Sequence, residues 1–223
     1  MIKIENLTKS YRTPTGRHYV FKDLNLEIPS GKSVAFIGRN GAGKSTLLRM
    51  IGGIDRPDSG KIITNKTISW PVGLAGGFQG SLTGRENVKF VARLYAKQEE
   101  LKEKIEFVEK FAELGKYFDM PIKTYSSGMR ARLSFGLSMA FKFDYYIVDE
   151  VTSVGDVRFK EKCAYYFKER HRESSFLMVS HSFNTLIEFC DVAIVLKNND
   201  SINLYENIFE GIEAYKKTGS LLN

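Results

Sequence analysis

A glycine-rich segment near the start of the chain constrains the fold more than any other feature. Residues 38–45 read G-R-N-G-A-G-K-S and fit the phosphate-binding pattern G-x-x-x-x-G-K-[ST]. The apolar run Ser33 to Ile37 before it is typical of a buried strand, and a helical pattern begins at Lys44. This order predicts an α/β core in which loop N–H groups surround phosphates. A chance glycine-rich turn is the alternative, but it does not explain the flanking strand and helix.

The residue types in this segment fit phosphate chemistry. Glycines allow the backbone N–H groups to turn inward, where a Cβ would clash or forbid the torsion angles. Lys44 is expected to reach the β- and γ-phosphates and to act in catalysis, and Ser45 offers its hydroxyl to Mg²⁺. The nucleotide-binding residues predicted here are Gly38, Arg39, Asn40, Gly41, Ala42, Gly43, Lys44, Ser45 and Thr46.

Two adjacent carboxylates follow a second apolar run, Tyr145 to Val148. Open α/β sheets bind ligands at the carboxyl ends of their strands, so we expect Asp149 and Glu150 at the same edge as the glycine loop. Asp149 suits Mg²⁺, directly or through water, and Glu150 suits activation or positioning of an attacking water. Many strands end in acidic turns, so this pair gains its weight from its position after the loop.

The hydrophobic period divides the chain into a core and an insertion. From about Thr83 to Phe141, apolar residues recur at helical spacing, whereas strand-like runs surround this stretch on both sides. We therefore predict one domain over 1–223, with a core at about 1–82 and 142–223 and a helical subdomain at about 83–141. The tail, roughly Asn207 to Lys217, is predicted to be an amphipathic helix.

Composition limits the classes of protein without choosing among them. No apolar run approaches the roughly 20 residues of a membrane-spanning helix, and the N-terminus lacks a signal-peptide layout. We therefore expect the protein to stay on the side of the membrane where it was made. The two cysteines, Cys163 and Cys190, are expected to be reduced thiols. The net charge of +7 favours nucleotide, nucleic acid or an anionic membrane, or equally a solvated basic surface.

A further motif lies 23 residues before Asp149 (149 minus 126), where Tyr125-Ser126-Ser127-Gly128-Met129 precedes a helix with arginines. A serine and a glycine at a helix start present a hydroxyl and N–H groups to a phosphate. An N-capping serine alone would explain Ser126 but not its placement. Together with the loop and the carboxylates, the motif resembles the signature of the ABC family of ATP-binding cassettes. The signature residues predicted to contact nucleotide are Ser126, Ser127 and Gly128.

This resemblance covers the whole chain and implies a fold. ABC nucleotide-binding domains are P-loop NTPases with a RecA-like α/β core, an antiparallel β subdomain and a helical subdomain. It also implies roles for three residues: Tyr11 would stack on adenine, His181 would contact the γ-phosphate in catalysis, and Asp156 would contact a second subunit. A plain strand aromatic and a structural histidine are the alternatives for the first two.

The resemblance also implies partners. ATP and Mg²⁺ are the expected cofactors, and two copies of the chain are expected to enclose two ATP molecules head to tail. A separate membrane subunit would receive this homodimer at the cytoplasmic face of the bacterial inner membrane. The family's loop glutamine has no match here, because Gln79 lies only seven residues before Glu86 (86 minus 79). The usual position falls near Gly73 or Leu74, so a role for Gln79 in binding Mg²⁺ or water stays open.

Within the family, the sequence is similar to the ATPases of polysaccharide exporters. The segments that carry this similarity are Gly73 to Phe78, Leu82 to Asn87, the signature and Val151 to Asp156. The short chain most resembles Gram-negative group 2 capsule exporters, which move polysialic acid and related polymers. Exporters of teichoic acid or O-antigen are the alternative. ATPases that act on nucleic acid are disfavoured because no long heptad segment or second loop motif is found, and Glu150 and His181 disfavour a regulator that does not hydrolyse ATP.

Overall fold

The structure, a computed structural model, describes residues 1–73, 77–149, 156–198 and 201–220. These residues form two compact units. The first comprises the described residues within 1–71, 143–150 and 173–223, and the second comprises those within 72–142 and 151–172. The sequence predicted a core at about 1–82 and 142–223 and a helical subdomain at about 83–141, and this division stays a prediction. The second compact unit starts earlier than that helical subdomain and includes residues 156–172.

The first unit contains a six-stranded, mostly parallel sheet with the order β5-β6-β7-β3-β8-β9. Its central strands are continuous apolar runs that are buried along most of their length, as expected where both faces of a parallel sheet are covered. The last strand, β9, pairs antiparallel with β8 and forms one edge. The strands are β3 (Val34–Gly38), β5 (Ile68–Pro71), β6 (Tyr145–Asp149), β7 (Ser175–Val179), β8 (Val192–Asn198) and β9 (Ser201–Tyr205).

A three-stranded antiparallel sheet with the order β2-β1-β4 completes the strands of this unit. It consists of β1 (Ile2–Thr13), β2 (Gly16–Ile28) and β4 (Ser59–Thr64). The alternation at the start of β1 buries Ile2 and Ile4, whereas Asn6 adopts a left-handed φ of 49° and shifts the register before Leu7. This irregularity lets apolar residues on both sides of Asn6 point into one core.

The helices of the first unit are α1 (Lys44–Ile51), α6 (Phe183–Phe189) and α7 (Ile208–Ser220). Helix α1 buries Leu47, Leu48, Met50 and Ile51 and ends where Gly52 donates its N–H to Leu48 O. Helix α7 approaches β8 closely at Gly211, where an added Cβ would collide with Ala193 Cβ. The amphipathic tail helix predicted from the sequence is therefore present.

The second unit is helical. It contains α2 (Gly84–Tyr95), α3 (Leu101–Ala112), α4 (Ser127–Ala140), α5 (Val157–Glu173) and short 3-10 turns at Gln98–Glu100, Gly115–Asp119 and Ile122–Thr124. Its core is aromatic: Phe111 stacks on Phe135 at 5.8 Å and meets the edges of Phe159 and Tyr166 at 5.6 and 5.0 Å between ring centroids. Gly136 makes this packing possible, because a Cβ there would lie 2.9 Å from Phe111 Cδ1.

Two further observations complete the fold. Both cysteines are free and buried, and burial raises the pKa of the Cys163 thiol to about 12.

Among the helices of the described residues, none combines the length and the apolar character that are needed to cross a bilayer. The mixed α/β core, the antiparallel sheet and the helical elements agree with the fold class expected from the sequence.

An ion-pair cluster fixes the start of α2 in the second unit. The Arg85 guanidinium donates to Glu109 Oε1 at 2.6 Å and to Asp119 Oδ1 at 2.6 Å, and it lies 4.7 Å from the centre of the Phe118 ring. The hydrogen bond from Arg85 holds the pKa of the Asp119 carboxyl below its usual range. The basic charge of Arg85 is thus neutralised within the chain.

We expect Arg85→Gln to lower the free energy of unfolding by about 1–2 kcal/mol, a value reduced for the partial exposure of the pairs. The pKa of Asp119 is lowered in the folded state, so the part of this stabilisation that comes from Asp119 is present above the unfolded pKa of about 4 and is lost as the pH falls through the folded value. Urea unfolding at pH 7 and at pH 3 measures both effects. Lys102→Gln is the control, because its pair with Glu106 spans 3.9 Å and is exposed. An equal loss for both variants at pH 7 would contradict the prediction.

Candidate nucleotide-binding site

The loop between β3 and α1 forms a cradle with two left-handed glycines. Gly41 has φ 82° and Gly43 has φ 92°, which residues with a Cβ adopt only under strain. A Cβ on Gly43 would lie 2.6 Å from Phe21 Cζ and 2.6 Å from Val20 Cγ1, and one on Gly38 would lie 2.7 Å from Leu196 O. A Cβ on Gly41 would meet no protein atom within 4 Å. The loop is therefore packed against the protein at Gly38 and Gly43 and open at Gly41.

The Lys44 ammonium lies over this loop. It donates to Gly38 O at 2.7 Å and to Arg39 O at 2.9 Å, and the Ala42 N–H closes the turn on Arg39 O at 3.1 Å. Helix α1 begins at Lys44, so its positive end adds to the ammonium charge. Arg39, Asn40, Gly41 and Ser45 are exposed, whereas Ala42, Gly43, Lys44 and Thr46 are half-buried. The positive charge of Lys44 and of the helix terminus, beside an exposed loop, fits a polyphosphate here.

Asp149 lies at the carboxyl end of β6 and is half-buried. The adjacent strand, β7, carries Val179 opposite Asp149 and is followed two residues later by His181, which is exposed. The next strand, β3, ends at Gly38. Three neighbouring parallel strands thus deliver Asp149, His181 and the cradle to one edge of the sheet. The predicted catalytic Glu150 lies outside the described residues.

The oxygen atoms at this edge fit a magnesium ion. Ser45 is exposed in the first turn of α1, and Asp149 is half-buried at the carboxyl end of β6. Hydroxyl and carboxylate oxygens are ligands that Mg²⁺ accepts, with the remaining positions taken by water and phosphate oxygens. Ser45 and Asp149 are therefore the residues that would hold the ion.

Tyr11 lies on β1 with 42% of its surface exposed, and its hydroxyl donates to Asp55 Oδ2 at 3.0 Å. Strand β1 is connected to the cradle through β2. Phe21 of β2 lies beside Gly43 of the cradle and pairs with Lys9, which is two residues before Tyr11. An exposed tyrosine on the strand that pairs with β2 is consistent with the adenine contact predicted for Tyr11.

The signature residues lie at the N-terminus of α4 in the second unit. Ser126 caps the helix, and its Oγ accepts the Met129 N–H at 3.2 Å. Ser126 and Ser127 are exposed and Gly128 is half-buried. A Cβ on Gly128 would meet only Ser126 Oγ, at 3.9 Å. Ser126 is therefore a helix cap, as the alternative proposed. The N–H groups of Ser127 and Gly128 open the helix and have no acceptor within it, so they are suited to binding an anion.

Asp156 has two partners within its own unit. Its Oδ1 accepts the Phe159 N–H at 2.9 Å, which caps α5, and its Oδ2 accepts from Arg132 Nη2 at 2.8 Å. The bond from the Phe159 N–H and the Arg132 charge lower the pKa of this carboxyl. Arg132 also lies 4.2 Å from the centre of the Phe159 ring. Sequence reasoning noted arginines in α4 but did not identify Arg132 as the link between α4 and Asp156.

Gln79 takes part in a backbone clamp. Its N–H donates to Asn87 Oδ1 at 2.8 Å, and Asn87 Nδ2 donates to Gln79 O at 3.1 Å and to Thr83 O at 2.8 Å. Asn87 is buried, whereas the Gln79 side chain is exposed and contacts Ser81 Oγ at 3.4 Å. Asn87, which the sequence reasoning passed over, therefore fixes the loop that carries Gln79. Leu74, one of the two candidates for the usual glutamine position, lies outside the described residues.

The geometry agrees with comparisons to known proteins. A family model for ABC transporters matches residues 21–153, which is more than half of the chain. The chain belongs to the ABC transporter family. It is therefore an ABC-type ATPase that binds ATP, as the phosphate-binding loop and the signature indicated, and the resemblance stated from the sequence is confirmed.

Two relatives within the family are similar over almost their full lengths. The polysialic acid transport ATP-binding protein KpsT of Escherichia coli is 89% identical over 216 residues, which cover 97% of this chain and 96% of that protein. The capsule polysaccharide export ATP-binding protein CtrD of Neisseria meningitidis serogroup B is 42% identical, covering 96% of this chain and 98% of that protein. The ATP-binding cassette MJ0796, solved as a dimer with ADP and Pi, has a TM-score of 0.73 at 23% identity over 92% of this chain and 98% of that chain, which confirms the fold of the ABC cassette.

We expect Gly43→Ala to weaken ATP binding by at least about fivefold. The new Cβ would collide with Phe21 and Val20 at a left-handed φ, so the loop must move away from its phosphate-binding shape at a cost of about 1–3 kcal/mol. Isothermal titration calorimetry with ATP measures the effect. Gly80→Ala is the control, since its Cβ would meet only Lys123 Cβ at 3.8 Å. Wild-type affinity in Gly43→Ala would show that ATP does not use this loop.

Proposed function

We propose that this chain is the ATP-hydrolysing subunit of a bacterial exporter of capsular polysaccharide, with polysialic acid-type polymers as the substrate class. One observation carries the assignment to polysaccharide export: the 89% identity over 97% of the chain to a polysialic acid transport ATP-binding protein. The geometry supports ATP hydrolysis, because the cradle, Asp149 and His181 share the edge of one sheet.

Each residue at this edge has a proposed role. The cradle N–H groups and Lys44 bind the β- and γ-phosphates and stabilise charge that develops on them. Ser45 and Asp149 hold Mg²⁺, which shields the phosphate charge when bound. Glu150 orients the attacking water and accepts its proton, and His181 donates a hydrogen bond to the γ-phosphate. Tyr11 stacks on the adenine.

A second copy of the chain completes the site in this proposal. The N–H groups and hydroxyls of the signature residues Ser126, Ser127 and Gly128 would bind the γ-phosphate held by the cradle of the other copy, and Asp156 would lie at the contact. ATP stabilises such a dimer because the closed state gains γ-phosphate contacts that ADP does not offer. The dimeric arrangement of the cassette MJ0796 supports this step.

Hydrolysis would drive a separate membrane subunit at the cytoplasmic face of the inner membrane. Closing and opening of the dimer would transmit force to that subunit, since the γ-phosphate contacts form and break once in each cycle. The name of the related capsule export protein supports a polysaccharide as the cargo.

Replacing Lys44 by Ala in the native host tests the function. We expect surface capsular polymer to fall to a few per cent of the wild-type level, on the order of the residual activity of site variants, and polymer to accumulate inside the cell. Quantification of polymer in surface and intracellular fractions measures this. Lys22→Ala, at an exposed position on β2, is the matched control. Unchanged surface polymer in Lys44→Ala would leave an ABC ATPase but remove the capsule assignment.

The second copy is tested with Glu150→Gln. Loss of the catalytic carboxylate should permit ATP binding without hydrolysis, so we expect this variant to be a stable dimer with ATP and Mg²⁺ and a monomer with ADP. Size-exclusion chromatography with light scattering measures the mass. Glu161→Gln, at an exposed position on α5, is the control and should not trap a dimer. A monomeric Glu150→Gln protein with ATP would rule out the head-to-tail arrangement.

A further inference from the structure

The aromatic ring beside the phosphate cradle is held at its hydroxyl end by a buried ion pair. Lys9 Nζ lies 2.7 Å from Asp55 Oδ1 and also donates to Arg56 O at 2.6 Å. The other carboxylate oxygen, Asp55 Oδ2, accepts from Tyr11 Oη at 3.0 Å. Only 10% of the Lys9 side chain and 20% of the Asp55 side chain are exposed, in contrast to the exposed ring of Tyr11.

We propose that Asp55 is a positioning residue for the base of the nucleotide, because it fixes the Tyr11 ring with one face covered by Lys9 and the other available to a purine. This rests on the proposed nucleotide site and adds to it the residues that select the base. The Lys9 ammonium lies 5.2 Å from the centroid of the Tyr11 ring, within the range of a cation–π contact.

The orientation of the carboxylate is determined by several groups. Asp55 Oδ1 accepts from Lys9 and from the Arg56 N–H at 2.9 Å, which leaves Oδ2 for the tyrosine. The hydrogen bond from Lys9 is the largest cause that lowers the pKa of Asp55, and the same bond raises the pKa of Lys9. Both groups therefore stay charged at neutral pH, and the acceptor of the Tyr11 hydroxyl is an ionised carboxylate, which forms the stronger kind of hydrogen bond.

The chain connects this pair to the phosphate cradle along two routes. Along β1, Lys9 is two residues, or about 7 Å, from Tyr11, and its cross-strand partner Phe21 touches the cradle at Gly43. Along α1, Asp55 follows the end of the helix that begins at the cradle, and its N–H donates to Arg49 O at 3.2 Å. The ring and the phosphate loop are thus held by the same two elements.

The physical benefit is preorganisation. A tyrosine on an exposed strand would lose rotamer freedom when a base stacked on it, and part of the stacking energy would be lost in that ordering. The tether to Asp55 orders the ring before the ligand arrives. Because Lys9 covers one face, a base can stack on the other face only, where a large purine gains more contact than a pyrimidine.

The test compares a ligand with a base and a ligand without one. Tyr11→Phe keeps the ring and removes the tether, and Asp55→Asn removes the charge. We expect both variants to bind ATP about three- to tenfold more weakly, the range of one lost hydrogen bond, and to bind inorganic tripolyphosphate within about twofold of wild type. Titration calorimetry measures ATP, and displacement of ATP measures tripolyphosphate.

Asp144→Asn is the matched control. Asp144 accepts from Lys66 Nζ at 3.2 Å and from the Thr67 N–H at 2.8 Å, at the opposite end of β6 from Asp149. Its replacement removes a structural carboxylate and should leave both affinities within about twofold of wild type. If Asp55→Asn does not fold, Tyr11→Phe still tests the inference, because it removes only the hydroxyl of a partly exposed side chain.

Two results would overturn the inference: wild-type ATP affinity in Tyr11→Phe, or a parallel loss of ATP and tripolyphosphate binding. Lys44→Ala separates this from failure of the proposed function. That variant should bind both ligands more weakly. If it binds both as wild type does, the nucleotide site itself is wrongly placed.

Discussion

Parallel hydrogen bonding among β6, β7 and β3 is the constraint on which the rest of the structure depends. In a parallel ladder the strands run in one direction, so their carboxyl ends meet at one edge. The pairing of Asp149 with Val179 sets the acid at the same level as the start of the loop that carries His181. A slip of one residue would turn Asp149 to the other face of the sheet. Burial of the apolar residues of β6 and β7 prevents such a slip.

The second unit depends on side chains that join helix termini. Arg85 ties the start of α2 to Glu109 of α3, and Arg132 ties α4 to the capping residue of α5, Asp156. Asp156 also accepts the Phe159 N–H, one of the backbone groups at the start of a helix that need a partner. In a small helical unit built around Phe111, these ion pairs limit rotation of the helices about an aromatic core. Movement of Asp156 would therefore change the environment of α4, the helix that begins at Ser127.

Sequence patterns predicted the fold well where the whole signal for an element lies within one short segment of the chain. The loop from Gly38 to Ser45 and the apolar runs of β3 and β6 were predicted because their signals lie within ten residues. Strand β9 was not predicted, although Ile202 and Leu204 alternate, because five residues at a sheet edge give little period. The resemblance, in turn, provided the family and the expected roles of Tyr11 and His181, which stay predictions about bound states.

Long-range polar contacts were beyond the reach of the sequence. Lys9 and Asp55 are separated by 46 residues, and nothing in their local patterns distinguishes them from exposed charges. Asn87 was not singled out from the sequence, although its amide fixes the loop at Gln79. Asp156 was assigned a subunit contact, and the structure adds a cap and an ion pair within the chain. Such contacts depend on which elements meet, and periodicity does not encode that.

The two ends of α1 show how one short helix can serve both halves of a nucleotide. Helix α1 has eight residues and is about 12 Å long. Its N-terminus points at the phosphates, and the turn that follows its C-terminus places Asp55 at the level of the base. Buried Leu47, Leu48 and Ile51 fix the helix against the core, and neither end can shift without the other. Asp55 follows this helix directly, and its N–H donates to Arg49 O. One short element therefore positions both the phosphate cradle and the carboxylate that holds the Tyr11 ring, each through its own contacts.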